Sequence, residues 1–351
     1  MRSPAARIAR MLVLLALMAS GGSSAGADTP SEAVGVRSFA APAPERGIPV
    51  AVSLWYPARD AGATVPIGRN AIFVGAPGQR DAAPAQGPFP LVVVMHGGLR
   101  AAPDAAAWIA AKLAQRGFVV AVVNPPHLDE RDGGSAADEI WLRPKDFSAV
   151  LTAVLANPRL REWIDSGRVA ALGFLRGGSA ALALAGARID PEAYARSCNR
   201  AEVDLDCDWF AKQGIDLRRT DPERVGGKLR DERIRAVVAV DPELAAVVSP
   251  ASLATITVPV RIVNLGAPDA ILPALDASSI AAVIPSARYD TIPDATRYSS
   301  FGLCQPRARA ILKEEGGDTA LCEETEQQRT VVHERLAALI EESLRQFLEP
   351  L

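Results

Sequence analysis

The stretch Ala171–Gly186, "ALGFLRGGSAALALAG", has the make-up of a turn that presents a nucleophile. An apolar run from Val169 to Gly173 enters a corner framed by Gly173, Gly177 and Gly178, and a helix of small residues leaves it. In the pattern G-x-S-x-G, a serine hydroxyl at the tip of such a corner attacks an acyl carbon. Here Leu175 stands at the tip, between Phe174 and Arg176. A hydrocarbon side chain has no lone pair to attack with. Ser179 lies one helical turn further on, which puts its hydroxyl within the helix and away from the tip. The backbone N–H of Arg176 remains placed for an anion at the helix N-terminus.

The elements that must position this corner are legible as alternating strands and helices. Near-continuous apolar runs rich in β-branched residues occur at Leu91–Met95, Phe118–Val123, Arg168–Gly173, Ile234–Val240 and Val258–Leu265. Such runs suit strands buried on both faces of a parallel sheet. Val50–Pro57 and Ala71–Val74 read as earlier strands. Helical patterns fall at 105–117, 143–157 and 177–187, and a closing amphipathic helix spans about Gln327 to Leu348. The alternation predicts an α/β domain with a mostly parallel, doubly wound sheet. Residues 189–233, long and charged, read as a cap-like insertion, and Asp290–Thr330 as a second loop-rich stretch.

Residues 1–27 read as a cleavable signal peptide. Arg2, Arg7 and Arg10 are its basic start, Met11–Ala19 its apolar stretch, and an A-x-A site ends at Ala27. The apolar stretch is too short to span a bilayer. The expectation is a soluble periplasmic or secreted protein, with residues 28–351 as its one folded domain. Losing residues 1–27 would remove three Arg and no acid, taking the formal charge from −3 to −6. The basic residues are scattered and aromatics make up only 5%, so no nucleic acid is expected as a partner. Four cysteines in an exported chain favour disulfides. Three pairings are possible; local closure, Cys198–Cys207 and Cys304–Cys322, is preferred because each pair brackets one loop-like segment. A zinc site is not expected, for want of a C-x-x-C and with only three His.

Taken in order, several segments resemble an exported α/β-hydrolase family, the "predicted dienelactone hydrolase" group related to platelet-activating-factor acetylhydrolase. They are "LWYPARD", "GPFPLVVVMHGGLR", "WLRPKDFSAVL", "RVAALGFLRGGSAALALAGA", "RIRAVVAVDPEL", "VPVRIVNLGAPDAILP" and "IPDATRYSSFGLC". The resemblance covers roughly residues 34 to 349 and implies the α/β-hydrolase fold with a nucleophile corner at Leu175.

It also implies a triad in which His takes the nucleophile's proton and a carboxylate orients that His. Arg297 holds the position of the base, and a guanidinium stays protonated and cannot act as one. Asp241 and Asp269, at the ends of two successive strands, are both candidates for the remaining acid. Either would pair with Arg297 if that side chain points inward; the bland alternative is that both cap loops. The resemblance makes His96 structural, with the backbone at Gly97 and Gly98 completing an oxyanion site, and makes His333 a packing residue. His127, on a loop after a strand, is the histidine most able to line a pocket. Arg176 and Arg297 together would make the site positive and suited to a carboxylate, unless both reach solvent.

Loss of one triad member costs about 10⁴-fold or more, and the losses are not additive. The expected function is therefore a disabled hydrolase-fold protein that binds a small molecule, such as an ester or carboxylate, or a partner, without a cofactor. Two alternatives remain open. One is an active ester or lactone hydrolase with an unfamiliar constellation. The other is an inactive subunit of an active relative.

Overall fold

The computed structural model describes residues 33–59, 62–99, 102–128, 136–199 and 204–349. The proposed signal peptide and its cleavage site lie outside them.

Ten strands form one sheet: β1 (Val34–Ala41), β2 (Val50–Pro57), β3 (Val65–Ile67), β4 (Ala76–Arg80), β5 (Phe89–Met95), β6 (Val119–Asn124), β7 (Ile164–Phe174), β8 (Ala236–Val240), β9 (Val260–Leu265) and β10 (Ala287–Ile292). Their order is β10-β9-β8-β7-β5-β6-β2-β1-β4-β3. The run from β10 to β6 is parallel throughout. β2 joins β6 antiparallel, and β1 joins β2 antiparallel. The central strands are buried from end to end because both faces are covered. On one face lie α1 (Ala107–Gln115) and the long C-terminal α4 (Glu326–Leu348), packed on Val92, Leu172 and Val238. On the other lie α2 (Glu139–Ala156) and α3 (Arg176–Ala185), packed on Val93, Ala171 and Val237. Along α4, Val332, Leu336, Ile340 and Leu344 repeat at helical spacing and are all buried.

Two sequence expectations fail locally. Ala71–Val74 is not a strand: Phe73 makes one isolated bridge to Cys304, and the neighbouring strand is β4, "APGQR". Its Pro and Gly hide it from an apolar pattern. Asp290 belongs to β10, a strand half-exposed at the sheet edge, so the second loop-rich stretch begins inside regular structure. It also contains a short helix at Ala308–Glu314.

Between α3 and β8 the chain makes short helices at Pro191–Ala195, Cys207–Lys212 and Pro222–Val225. Tyr194, Trp209, Phe210 and Leu217 from this segment form an apolar cluster with Leu99, Leu128 and Leu244 from the sheet's loops. The Cys198–Cys207 and Cys304–Cys322 disulfides are both present. No helix among the described residues is long and apolar enough to cross a membrane.

Candidate functional site

The corner after β7 is as tight as its glycines demand. A Cβ on Gly173 would lie 1.9 Å from the carbonyl oxygen of Gly177, and one on Gly177 would lie 2.2 Å from that of Met95. Both distances are far inside van der Waals contact, so only glycine lets strand and helix meet here. Leu175 sits at φ 54°, ψ −125°. A side chain held there is strained by about 1–3 kcal/mol, and such strain persists only where the surroundings over-determine it. They do. The Leu175 N–H donates to the carbonyl of Val240 at 3.0 Å, and its own carbonyl accepts from Gly178 at 2.9 Å and Ser179 at 3.2 Å. The residue is 7% exposed. The backbone at Leu175 is thus pinned in a strained strand-to-helix corner with a buried leucine at its tip.

The loop after β5 faces this corner, and the Gly97 N–H donates to the carbonyl of Phe174 at 3.2 Å. Arg143 of α2 grips the loop from behind, donating through Nη1 to the carbonyl of Gly97 and through Nη2 to that of Gly98, each at 2.9 Å. Arg143 is paired in turn with Glu139 at 3.0 Å, and Arg46 reaches both Glu139 and Asp146. Burial pushes Glu139 upward, but the Arg143 and Arg46 guanidiniums outweigh it and hold the carboxyl below its ordinary value. Asp146 goes the other way. Its burial outweighs Arg46 and raises it to about 6. The "RP-K-D" segment quoted above carried this clamp, although its role was not readable without the partners Arg46 and Gly97.

Arg176 corrects both readings made of it. It neither reaches solvent nor makes the corner positive. Its side chain is 3% exposed and turns toward the segment between α3 and β8. Nη2 donates to Asp204 at 2.8 Å and Nε to Asp206 at 2.7 Å, and Glu243 lies 3.2 Å from Nε. That last contact is close but not aligned as a hydrogen bond, since the Glu243 Oε2 has no hydrogen-bond partner among the described residues. Burial holds Glu243 well above its ordinary value despite Arg176. The carboxyl oxygens of Asp204, Asp206 and Glu243 lie within 4.8 Å of one another, with the guanidinium as their counter-ion.

Arg297 does not pair with either candidate acid. Its Nη2 donates to Asp318 at 3.3 Å and to the Tyr298 hydroxyl, and its side chain is one-third exposed. The two acids part company. Asp269 is exposed on the loop after β9. Asp241 is 1% exposed and follows Val240, the residue hydrogen-bonded to Leu175. Its Oδ1 accepts from Asn264 Nδ2 at 2.8 Å and from the Leu265 N–H at 2.9 Å. Its Oδ2 has no partner among the described residues. Burial raises Asp241 to about 7 in spite of those two donors.

His96 and His333 are used up by the chain segment that carries Arg297. His96 Nε2 meets the carbonyl of Ser300 at 2.9 Å, and His333 Nε2 meets those of Ser299 at 3.0 Å and Phe301 at 2.9 Å. A carbonyl only accepts, so each Nε2 carries the proton. Trp108 donates to Ser300 as well, at 2.7 Å, and stacks on His333. Burial lowers both imidazoles to about 4, so they stay neutral. His127 is exposed. The Ser179 hydroxyl donates to the carbonyl of Glu243, and that of Ser299 to Glu324. Neither has an imidazole partner among the described residues.

A cavity of about 550 Å³ opens beside Arg297, at the carboxyl ends of β9 and β10, with Leu265, Leu275 and Ala295 in its wall. A narrower enclosed slot, with about 20 Å³ of free volume, lies between α2, α3 and the segment that joins α3 to β8. Arg143, Arg176, Glu139 and Glu243 line it. Leu175 lines neither.

No protein-family model and no curated protein matches the chain. Solved structures do. A ferulic acid esterase from Streptomyces cinnamoneus aligns at 17% identity over 91% of each chain, with a TM-score of 0.53. A structure named m3DLH aligns at 16% identity over 90% of this chain and all of the other, with a TM-score of 0.51. A dienelactone hydrolase from Anabaena variabilis aligns at 14% identity over 90% and 99%, with a TM-score of 0.47. This chain has the α/β-hydrolase fold, as its strand order and the corner after β7 require.

Proposed function

We propose that this chain is an exported, dienelactone hydrolase-like protein that holds a small molecule or a partner without hydrolysing it. The observation that carries the reading is Leu175. It occupies a strained conformation whose use is to aim a nucleophile, and it has none. Three further features support it. Arg297, at the base position, is tied to Asp318 and Tyr298. His96 and His333 are committed to backbone carbonyls. Asp241, the buried acid beside the corner, has an oxygen without a hydrogen-bond partner, and no imidazole bonds to it, among the described residues. In this reading residues 189–233 act as a cap latched to the corner through Arg176, Asp204 and Asp206. The fold alone does not decide activity, since the same scaffold hosts many functions.

The test is hydrolysis of p-nitrophenyl acetate and butyrate by the chain from Asp28 onward, beside a Leu175→Ser, Arg297→His double variant. The natural protein should give no enzyme-like turnover; binding and backbone donors alone leave at most roughly 10³–10⁴-fold over water. Turnover gained by the double variant would mean an intact but disarmed corner. Enzyme-like turnover by the natural protein would overturn the reading in favour of a hydrolase with another nucleophile.

A further inference from the structure

The three carboxylates around Arg176 outnumber the cation that they share. Asp204 and Asp206 come from the segment joining α3 to β8, and Glu243 lies just after β8. One carboxyl oxygen from each lies within 4.8 Å of the other two. The guanidinium takes only one oxygen of each aspartate, Oδ1 of Asp204 and Oδ2 of Asp206. Asp204 Oδ2 and Glu243 Oε2 have no hydrogen-bond partner among the described residues. Both residues are more than nine-tenths buried, at 2% and 3% exposed. A buried carboxylate oxygen without a donor carries its desolvation cost uncompensated.

Charge points the same way. Counted as ionised, the three carboxylates against one guanidinium leave two negative charges in the cluster. Arg143, a second cation near Glu243, is held by Glu139 and by the carbonyls of Gly97 and Gly98. A divalent cation would close the balance. The donor set selects its chemistry, since carboxylate oxygens suit calcium, magnesium or manganese rather than copper or zinc. Cys198 and Cys207 lie beside Asp204, but their sulfurs are joined to each other. Calcium accepts carboxylates in irregular arrangements and fills its shell with water, whereas magnesium demands a near-ideal octahedron. Asp206, whose side chain is 16% exposed, gives an ion and its water a way in.

We propose that Asp204, Asp206 and Glu243 form a calcium site that ties the segment between α3 and β8 to the loop after β8. The ion sits on the carboxylate oxygens that Arg176 leaves free. The site stands whether or not the corner turns over an ester.

The experiment is calorimetric titration of the chain from Asp28 onward, disulfides intact and freed of metal with EDTA, with calcium chloride and separately with magnesium chloride. Calcium should bind one to one with a Kd on the order of 10⁻⁴–10⁻³ M, the range of extracellular calcium modules, and magnesium about tenfold more weakly. At about 10 mM calcium the melting temperature should rise by about 2–5 °C over sodium chloride at equal ionic strength. Glu243→Gln and Asp206→Asn, each of which keeps the side-chain shape and removes one charge, should each weaken calcium by about tenfold or more. Glu223→Gln, at an exposed acid of the same segment outside the cluster, should leave the Kd unchanged. Far-ultraviolet circular dichroism establishes that each variant is folded. The proposal is overturned if calcium gives no saturable heat up to about 10 mM, if its effect on melting equals that of sodium chloride, or if both cluster variants bind calcium like the parent. Tighter binding of magnesium than of calcium would also overturn it. The titration of the natural chain is decisive even where a variant fails to fold.

Discussion

Replacing Asp241 by Asn should stabilise the protein, and only at high pH. The carboxyl is buried beside the corner and raised from 3.8 to about 7 by desolvation, against the two donors on its Oδ1. An acid whose proton is held more tightly in the folded state contributes stability below pH 3.8, and that contribution is lost as the pH rises through 7. The full loss corresponds to roughly 4 kcal/mol, and relaxation around the ionised group brings the expected figure to about 2–4 kcal/mol. Asn keeps the oxygen that accepts from Asn264 and Leu265 and never ionises. At pH 4 the variant should therefore match the parent. At pH 8 it should be more stable by about 2–4 kcal/mol, read from urea unfolding with the disulfides intact. The comparison at two pH values isolates Asp241 from Glu243, which is raised in both proteins. If Asn were equally or more destabilising at pH 8 than at pH 4, the ionised Asp241 would have a cation. Arg297 would then have to swing inward to meet it, and the reading of an idle acid would be wrong.

Gly177→Ala should abolish folding or cost several kcal/mol, because its Cβ would lie 2.2 Å from the Met95 carbonyl; a soluble variant with the parental melting temperature would disprove the contact. Arg176→Met leaves Asp204, Asp206 and Glu243 without their counter-ion, and should cost about 3–5 kcal/mol at pH 8 and less at pH 5, where protons can replace the guanidinium. Limited proteolysis should then cut first between residues 189 and 233, and unchanged protease resistance would deny that Arg176 latches this segment. His96 and His333, lowered to about 4, make the unfolded chain the better proton acceptor, so stability should fall as pH drops from 6.5 towards 4. Their imidazole NMR signals should stay unshifted from pH 8 to 5, and a midpoint near 6.5 for either would refute the assignment.

The centre of this fold was readable because its strands are buried on both faces and leave unbroken runs of Val, Ala and Ile. β4 and β10 were not, since one contains Pro and Gly and the other is half-exposed at the edge. The corner was readable because no residue but glycine fits at 173 and 177. The preferred cysteine pairing also stands, as both pairs close short local loops. What surrounds the corner was not readable. Arg176 was judged from its neighbours in the chain, whereas its partners come from 28 and 30 residues away. Arg143 is bound to carbonyls 46 and 45 residues earlier, and no side-chain pattern records a demand made by backbone oxygens.

Those backbone oxygens bear on how freely the region can change. The segment Ser299–Phe301 is gripped through its carbonyls by His96, Trp108 and His333, side chains from three separate elements. Every residue type presents the same carbonyl. The path of this loop is therefore blind to the identity of residue 297, which can be exchanged for almost any side chain at little structural cost. Position 175 has no such freedom, because its side chain is buried and its backbone is strained for any residue but glycine. A saturation library should accordingly yield soluble protein across most substitutions at 297 and across few at 175, which makes 297 the natural entry point for new chemistry on this scaffold.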